Sequence, residues 1–254
     1  MKSDYLKLKD FFQSYTKEFN LKKTKEQKNI DLKIDHSYRV VKNMEEIVSR
    51  MNLTEAEEYL AKIIALLHDI GRFEQYKKYK TFSDYKSEDH GLLGVKLLKE
   101  QKSLQDLAPS EQQIIYQAIK EHNQASLNEN NFKNEKELFF AKLIRDADKL
   151  DIFNIFVERF KKDSQKDYIN KLAESPKISD QIYRKVLNKE AINYDKLQTI
   201  NDLKAMQLGW LYDINFKESM DIIKKRDYPK IIYNSMDQSR RAEAIYKQIK
   251  NDLL

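Results

Sequence analysis

The sequence predicts an all-α protein, and two observations lead to that prediction. Apolar residues recur along most of the chain at the three- and four-residue spacings of amphipathic helices. The 254 residues include only four glycines, which leaves little material for the tight turns of β-hairpins. A chain of this length is also long enough to bury a sizeable core. We therefore expect a compact helical protein.

The N-terminal third of the chain is predicted to contain an exposed connection followed by two helices. Residues 20–35 contain many lysines and little periodicity, so we expect an exposed connection there. His36 begins the next helix, because the apolar residues that follow it as far as Met51 form a nearly complete stripe. Thr54 and Glu57 have the spacing of a capping box, which opens a further helix that should stop by Gly71.

The middle of the chain alternates predicted loops and helices. The polar, tyrosine-rich stretch 75–89 is predicted to be a loop. The helix after it is predicted to place five apolar residues in the core: Leu92, Leu93, Val95, Leu97 and Leu98. Pro109 is a helix start signal, whereas residues 123–134, rich in Asn and Ser, predict a surface loop. A long helix is expected over residues 135–160.

The remainder is also predicted to be helical. Ser179 is a candidate N-cap, and a strong apolar run covers residues 203–216. No internal repeat, low-complexity tract or Pro/Gly/Ser-rich linker divides the chain. We therefore predict a single domain, 1–254, in which C-terminal helices pack onto the rest.

Composition excludes several classes of protein. The absence of cysteine excludes a disulfide scaffold, thiolate metal sites and a cysteine nucleophile. The net charge of +6 comes without a basic block interleaved with aromatic residues, which argues against nucleic-acid binding. No stretch approaches the roughly 20 apolar residues that span a bilayer, and the N-terminus has no apolar core of a signal peptide. We expect a soluble cytoplasmic protein that does not bind membranes.

The four histidines are the candidate functional residues, and each is expected at or near a helix end. His68 is followed by Asp69 directly after a buried apolar stripe, and burying that carboxylate is costly without compensation. A divalent cation is the usual compensation, and this donor set suits Mn, Fe, Co, Ni or Zn. His36, His90 and His122 are further candidates, although a histidine such as His122 is also favourable at a helix C-terminus without any metal.

Three acids interrupt the apolar face of the long helix at residues 135–160. Asp148 shares a face with Ala141 and Ile144, whereas Asp146 shares a face with other apolar residues. Asp151 is the third acid, and aspartates are also common on solvated faces. Spacing alone does not choose between Asp146 and Asp148.

The ordered motifs HSYRV, HDIGRF, DHGLLG, EHN and DADKLD resemble those of the HD-domain superfamily of metal-dependent phosphohydrolases. The resemblance covers about residues 30–155, with residues 156–254 as a helical extension. It implies that a first metal is held by four residues: His36, His68, Asp69 and Asp148. Asp146 would then orient a ligand. His90 and His122 match the additional ligands of two-metal members, in which Asp69 bridges, so the resemblance implies one or two divalent transition metals.

The resemblance also implies a reaction. Paired metals would lower the pKa of a shared water and stabilise charge on phosphoryl oxygens, with His68, Asp69 and Arg72 as the catalytic set. Arg72 could bind phosphate through its guanidinium group, and is equally explained as an ordinary surface arginine. Arg39 and Lys149 are further candidates for phosphate binding, and the loop at residues 77–88 is expected to cover the site.

The expected substrate is a nucleotide or a small phosphorylated metabolite. Two alternatives stay open at this stage. Some proteins of the same fold use such a ligand set to hold two irons and activate oxygen, and a non-catalytic nucleotide sensor is the other alternative. The sequence does not indicate the oligomeric state.

Overall fold

The computed structural model describes residues 1–19, 24–161, 172–175 and 177–254. Within those residues the regular structure is helical, with one isolated β-bridge between Ala173 and Thr199, so the all-α prediction is confirmed. The α-helices are, in chain order, α1 Lys2–Lys17, α2 Thr24–Val48, α3 Glu55–Leu67, α4 Gly71–Tyr79, α5 His90–Glu100, α6 Pro109–Glu121, α7 Glu135–Lys161, α8 Asp180–Leu187, α9 Ile200–Gly209, α10 Lys217–Lys225, α11 Tyr228–Asn234 and α12 Arg240–Leu253. No helix in these ranges is long and apolar enough to cross a membrane.

The described residues form two compact units, Met1–Asp151 and Ile152–Leu254. Helix α7 contributes residues to both. The boundary between the two units lies close to residue 155, where the resemblance to the HD-domain superfamily is expected to end. That the chain is a single domain stays a prediction.

Helix α3 is the centre of the first unit, and α1, α2 and α6 all pack against it. Its start is defined by a complete capping box, in which the Thr54 hydroxyl accepts from the Glu57 backbone N–H and the Glu57 carboxylate accepts from the Thr54 N–H. From Leu60 to Leu67 every residue except Lys62 is buried. The capping-box prediction is therefore confirmed, and the helix delivers His68 into the core at its C-terminal end.

The N-termini of α4 and α5 lie in backbone contact. A Cβ added at Gly71 would stand 2.2 Å from the carbonyl oxygen of His90 and 2.6 Å from the backbone nitrogen of Gly94. Only a glycine allows that approach. The contact brings the end of the His68–Asp69 segment next to the first residue of α5, which is His90.

Three expectations about local structure are wrong. His36 lies in the interior of α2 and does not begin it, and the expected connection at residues 20–35 is helical from Thr24, with Ile30 fully buried. Residues 20–23 lie outside the described residues. In the part of α2 before His36, polar side chains lie on the inner face and interrupt the apolar periodicity from which a helix is predicted. The expected loop at residues 75–89 is helical as far as Tyr79, because α4 runs to that residue.

In the second unit, α9 is buried from Asn201 to Leu208. Its N-terminus has a capping box between Thr199 and Asp202. A 3-10 turn at Trp210–Asp213 continues the predicted apolar run. Ser179 occupies the expected N-cap position of α8, but its hydroxyl makes no capping hydrogen bond.

Candidate metal centre

Six side chains from five helices and their ends converge in the first unit. His36 comes from α2, His68 and Asp69 follow α3, and His90 opens α5; His122 follows α6, and Asp148 lies on α7. The imidazoles and Asp69 are buried, whereas the Asp148 side chain is 20% exposed. The structure thus brings together every residue that the sequence suggests as a metal ligand.

The first group of ligand atoms is formed by His36, His68, Asp69 and Asp148. His36 Nε2 lies 3.2 Å from His68 Nε2, 3.4 Å from Asp69 Oδ2 and 3.1 Å from Asp148 Oδ1. His68 Nε2 lies 3.8 Å from each of the two carboxylate oxygens. Two nitrogens and two oxygens therefore surround one point.

The second group uses the other oxygen of Asp69. His90 Nε2 lies 3.0 Å from His122 Nε2 and 3.2 Å from Asp69 Oδ1, and His122 Nε2 lies 3.7 Å from that oxygen. Asp69 thus presents Oδ2 to the first group and Oδ1 to the second. This is the geometry of a bridging carboxylate between two cation positions.

These separations suit metal coordination. With metal–ligand bonds of about 2.1 Å, neighbouring ligand atoms lie roughly 3.0 to 3.5 Å apart in octahedral or tetrahedral geometry. The observed separations of 3.0 to 3.8 Å need only small side-chain movements to meet that requirement.

Hydrogen bonds fix which nitrogen of each imidazole faces inward. His68 Nδ1 donates to the Ala65 carbonyl at 2.8 Å, and His122 Nδ1 donates to the Ile119 carbonyl at 2.7 Å. The other two rings donate to carboxylates. His36 Nδ1 lies 2.7 Å from Asp151 Oδ2, and His90 Nδ1 lies 2.7 Å from Asp84 Oδ2. Because carbonyl and carboxylate oxygens only accept, each Nδ1 carries hydrogen and each Nε2 is left to bind a metal.

The electrostatics favour positive charge at the centre. Burial opposes protonation of His36, but the adjacent carboxylates of Asp148 and Asp151 outweigh burial and raise its pKa to about 9. For His68, burial dominates and lowers the pKa to about 4. Burial would favour a neutral Asp69, yet the nearby Lys33 and histidines hold the pKa of this acid well below its usual range. A divalent cation would replace the proton that His36 attracts.

One buried atom without a hydrogen-bond partner also supports metal binding at the first group of ligand atoms. Asp148 Oδ1 is buried and makes no hydrogen bond, although a buried carboxylate oxygen ordinarily has a partner. It points to the first group, where a metal would be that partner. Nitrogen and oxygen donors in this set suit Mn, Fe, Co, Ni or Zn.

The predicted phosphate-binding residues have other contacts. The Arg39 guanidinium binds Asp151 through two hydrogen bonds of 2.6 and 3.0 Å. Arg72 Nη1 lies within hydrogen-bonding distance of Gln75, Asp84 and the Phe82 carbonyl, and Arg72 Nε lies 3.5 Å from Asp69 Oδ1. Lys149 is half-buried beside Asp148. The roles of these cations in substrate binding stay predictions.

Three supporting contacts are not predicted by the sequence. Asp146, expected to orient a ligand, is fully buried, but the carboxylate on His36 Nδ1 is that of Asp151. Asp84, in the 3-10 turn Asp84–Lys86, supports His90, and no local pattern indicates this. Lys33 Nζ lies 2.8 Å from Asp69 Oδ2, and its position one turn before His36 would have signalled this had α2 been predicted to start earlier.

Comparison with known proteins agrees with this geometry. Residues 34–152 match the family model for the HD domain, and all six ligand candidates lie within the match. Neither a search of curated proteins nor a search of solved structures returned a match. Because the helices, the ordered motifs and the family model coincide over one segment, we conclude that the chain contains an HD domain at residues 34–152.

Proposed function

We propose that the protein is a two-metal phosphohydrolase whose substrate is a nucleotide or a small phosphorylated metabolite. The observation that carries the proposal is Asp69, whose two oxygens face two separate pairs of histidines. A bridging carboxylate of this kind is suited to holding two cations close together.

The residues divide between the two positions. His36, His68, Asp69 Oδ2 and Asp148 would hold the first metal, and His90, His122 and Asp69 Oδ1 would hold the second. When bound, such a pair lowers the pKa of water and stabilises the charge that develops on phosphoryl oxygens. The second position has fewer protein ligands, which leaves more room there for water and substrate.

The chain's own residues support this chemistry. Asp151 and Asp84 keep the rings of His36 and His90 oriented, which prevents each Nε2 from turning away. His68 has no exposed surface, whereas Asp148 and Asp84 are partly exposed, at 20% and 32% of their side chains. Substrate would therefore approach from the side of those two aspartates.

Cations near that side favour an anionic substrate. The Lys33 side chain is 17% exposed and that of Arg39 is 36% exposed. Positive charge at the mouth of a site attracts anions and raises their local concentration. A phosphoester fits both this charge and the metal positions.

The test is phosphate release from a panel of nucleotides and phosphoesters after metal removal and reloading with Mn²⁺ or Co²⁺. We expect release that requires metal and falls at least about 100-fold in Asp69→Asn, because the bridge is lost. Asp35→Asn is the matched control, since Asp35 is exposed and adjacent to His36.

Other results would contradict the proposal. No phosphate release from any substrate by protein that binds two metals would refute hydrolysis. A mixed-valent di-iron signal that responds to substrate in air would identify an oxygenase instead, and tight nucleotide binding without turnover would identify a sensor.

A further inference from the structure

Lys33 lies at the edge of the first metal position. It precedes His36 by three residues on α2, so both side chains lie on one face of the helix. Its Nζ is 2.8 Å from Asp69 Oδ2, and this oxygen is the one that faces His36 and His68. The ammonium group therefore pairs with the atom that a first metal would bind.

Lys33 differs from the neighbouring arginines in the atom that its charge faces. Lys33 Nζ pairs with Asp69 Oδ2. Arg39 pairs with Asp151, and Arg72 Nη1 lies within hydrogen-bonding distance of Gln75, Asp84 and the Phe82 carbonyl. An ammonium group has three N–H donors, and within the described part of the chain Lys33 donates one hydrogen bond, to Asp69. Its other contact is with the Phe82 ring, whose centroid is 5.5 Å from Nζ. Two donors remain for another anion.

A cation at the first position would change the partner of Lys33. A divalent metal bound to Asp69 Oδ2 neutralises that oxygen and repels an ammonium a few ångströms away. The lysine stem has four flexible carbons, so its head group can turn without moving α2. The side chain already has 17% of its surface exposed, which gives the ammonium a path toward the open side of the centre.

We propose that Lys33 is an exchangeable counter-cation: it neutralises Asp69 while the first position lacks a metal, and it binds a phosphoryl oxygen of the substrate once a metal is bound. The substrate half of this inference rests on the proposed function. The inference adds an anion-binding residue beside the first metal, in a place where the sequence predicts only an exposed connection.

The first measurement is metal affinity, by calorimetric titration of metal-free protein with Mn²⁺. In Lys33→Met the competing ammonium is gone, so we expect the first metal to bind about tenfold more tightly than in wild type. Lys42→Met is the matched control, because Lys42 is an exposed lysine on the same helix. Lys33→Arg keeps the charge and should retain wild-type affinity within about threefold.

The second measurement is the binding of inorganic phosphate to metal-loaded protein. Loss of a charged hydrogen bond in Lys33→Met should weaken phosphate binding about tenfold, whereas Lys33→Arg and Lys42→Met should bind it nearly as wild type does. Folding of Lys33→Met is checked in the metal-loaded form, and Lys33→Gln replaces it if needed.

Both changes are required. Wild-type metal affinity or wild-type phosphate affinity in Lys33→Met would overturn the inference. Neither measurement depends on turnover, so a protein that shows both changes but hydrolyses no phosphoester would refute the proposed function and leave the role of Lys33 as an anion-binding counter-cation standing.

Discussion

Replacing Asp151 by Asn should weaken the first metal position and leave the second unchanged. Asp151 is almost fully buried and accepts three hydrogen bonds, one from His36 and two from Arg39. Asparagine has the same size but only one acceptor oxygen, so its amide NH₂ would face one of these donors. The contact that orients His36 Nε2 is then made by a neutral amide oxygen in place of a carboxylate, or is lost, and in either case it is weaker.

The magnitude follows from what that contact does. Loss of a carboxylate that orients a metal-binding histidine typically lowers affinity about 10- to 100-fold, or about 1.4 to 2.7 kcal/mol. Removing one partner of a fully buried ion pair costs about 3–5 kcal/mol of folding stability. Arg39 is 36% exposed and can turn to water, so we expect a smaller stability loss, about 1–3 kcal/mol.

The assay is a calorimetric titration with Mn²⁺ that resolves two binding steps. Asp84→Asn is the matched variant, because Asp84 supports His90 at the second position as Asp151 supports His36 at the first. We expect each variant to weaken a different step. Equal weakening of both steps by Asp151→Asn, or wild-type binding of both metals, would refute the reasoning.

Three further outcomes are expected. Gly71→Ala should destabilise the protein by about 2 kcal/mol or more in urea unfolding, because its Cβ meets the backbone of His90, whereas Gly209→Ala, with no atom nearer than 3.5 Å, should be neutral or stabilising; equal effects would contradict this. The ion pair with Lys136 and the capping hydrogen bonds lower the pKa of Glu57 to about 2, so its stabilisation is present above about pH 4.5 and is lost as the pH falls toward 2. The urea midpoints of wild type and Glu57→Gln should therefore converge over that range, and a constant difference would refute the assignment. Chelation should lower the melting temperature of metal-loaded protein by about 10 °C, and an unchanged value would contradict the metal centre.

Sequence patterns predict the helices whose inner faces are apolar. The capping box at Thr54 and the buried stripe behind it predict α3, and the start of α7 at Glu135 is also as expected. The apolar pattern does not predict the start of α2, because Lys33 and His36 take inner positions that apolar residues would otherwise hold. Polar residues of the candidate metal centre therefore interrupt the apolar periodicity of α2.

The ligand candidates were predictable because each belongs to a short ordered motif. Their supporting residues were not, since those contacts join distant parts of the chain. Asp151 reaches His36 across 115 positions, and Lys33 reaches Asp69 across 36. Gln75 is fully buried in α4 because its amide donates to Asp84, Ser87 and the Glu88 carbonyl, which ties the following segment down. No local sequence pattern predicts such contacts.

The backbone contact at Gly71 makes the spacing of the histidines independent of the sequence at the tip of the segment between α4 and α5. Because α4 and α5 touch through Gly71 and Gly94, main-chain contact holds the starts of the two helices together. Hydrogen bonds from Arg72 and Gln75 anchor the segment between the helices. Its tip, where Tyr85 is 97% exposed, can then change in sequence or length without altering the spacing of the histidines. Variation confined to that tip leaves the contacts of Phe82, Asp84, Ser87 and Glu88 in place. Under the proposed function it would change which substrates reach the metals and not how the metals are held.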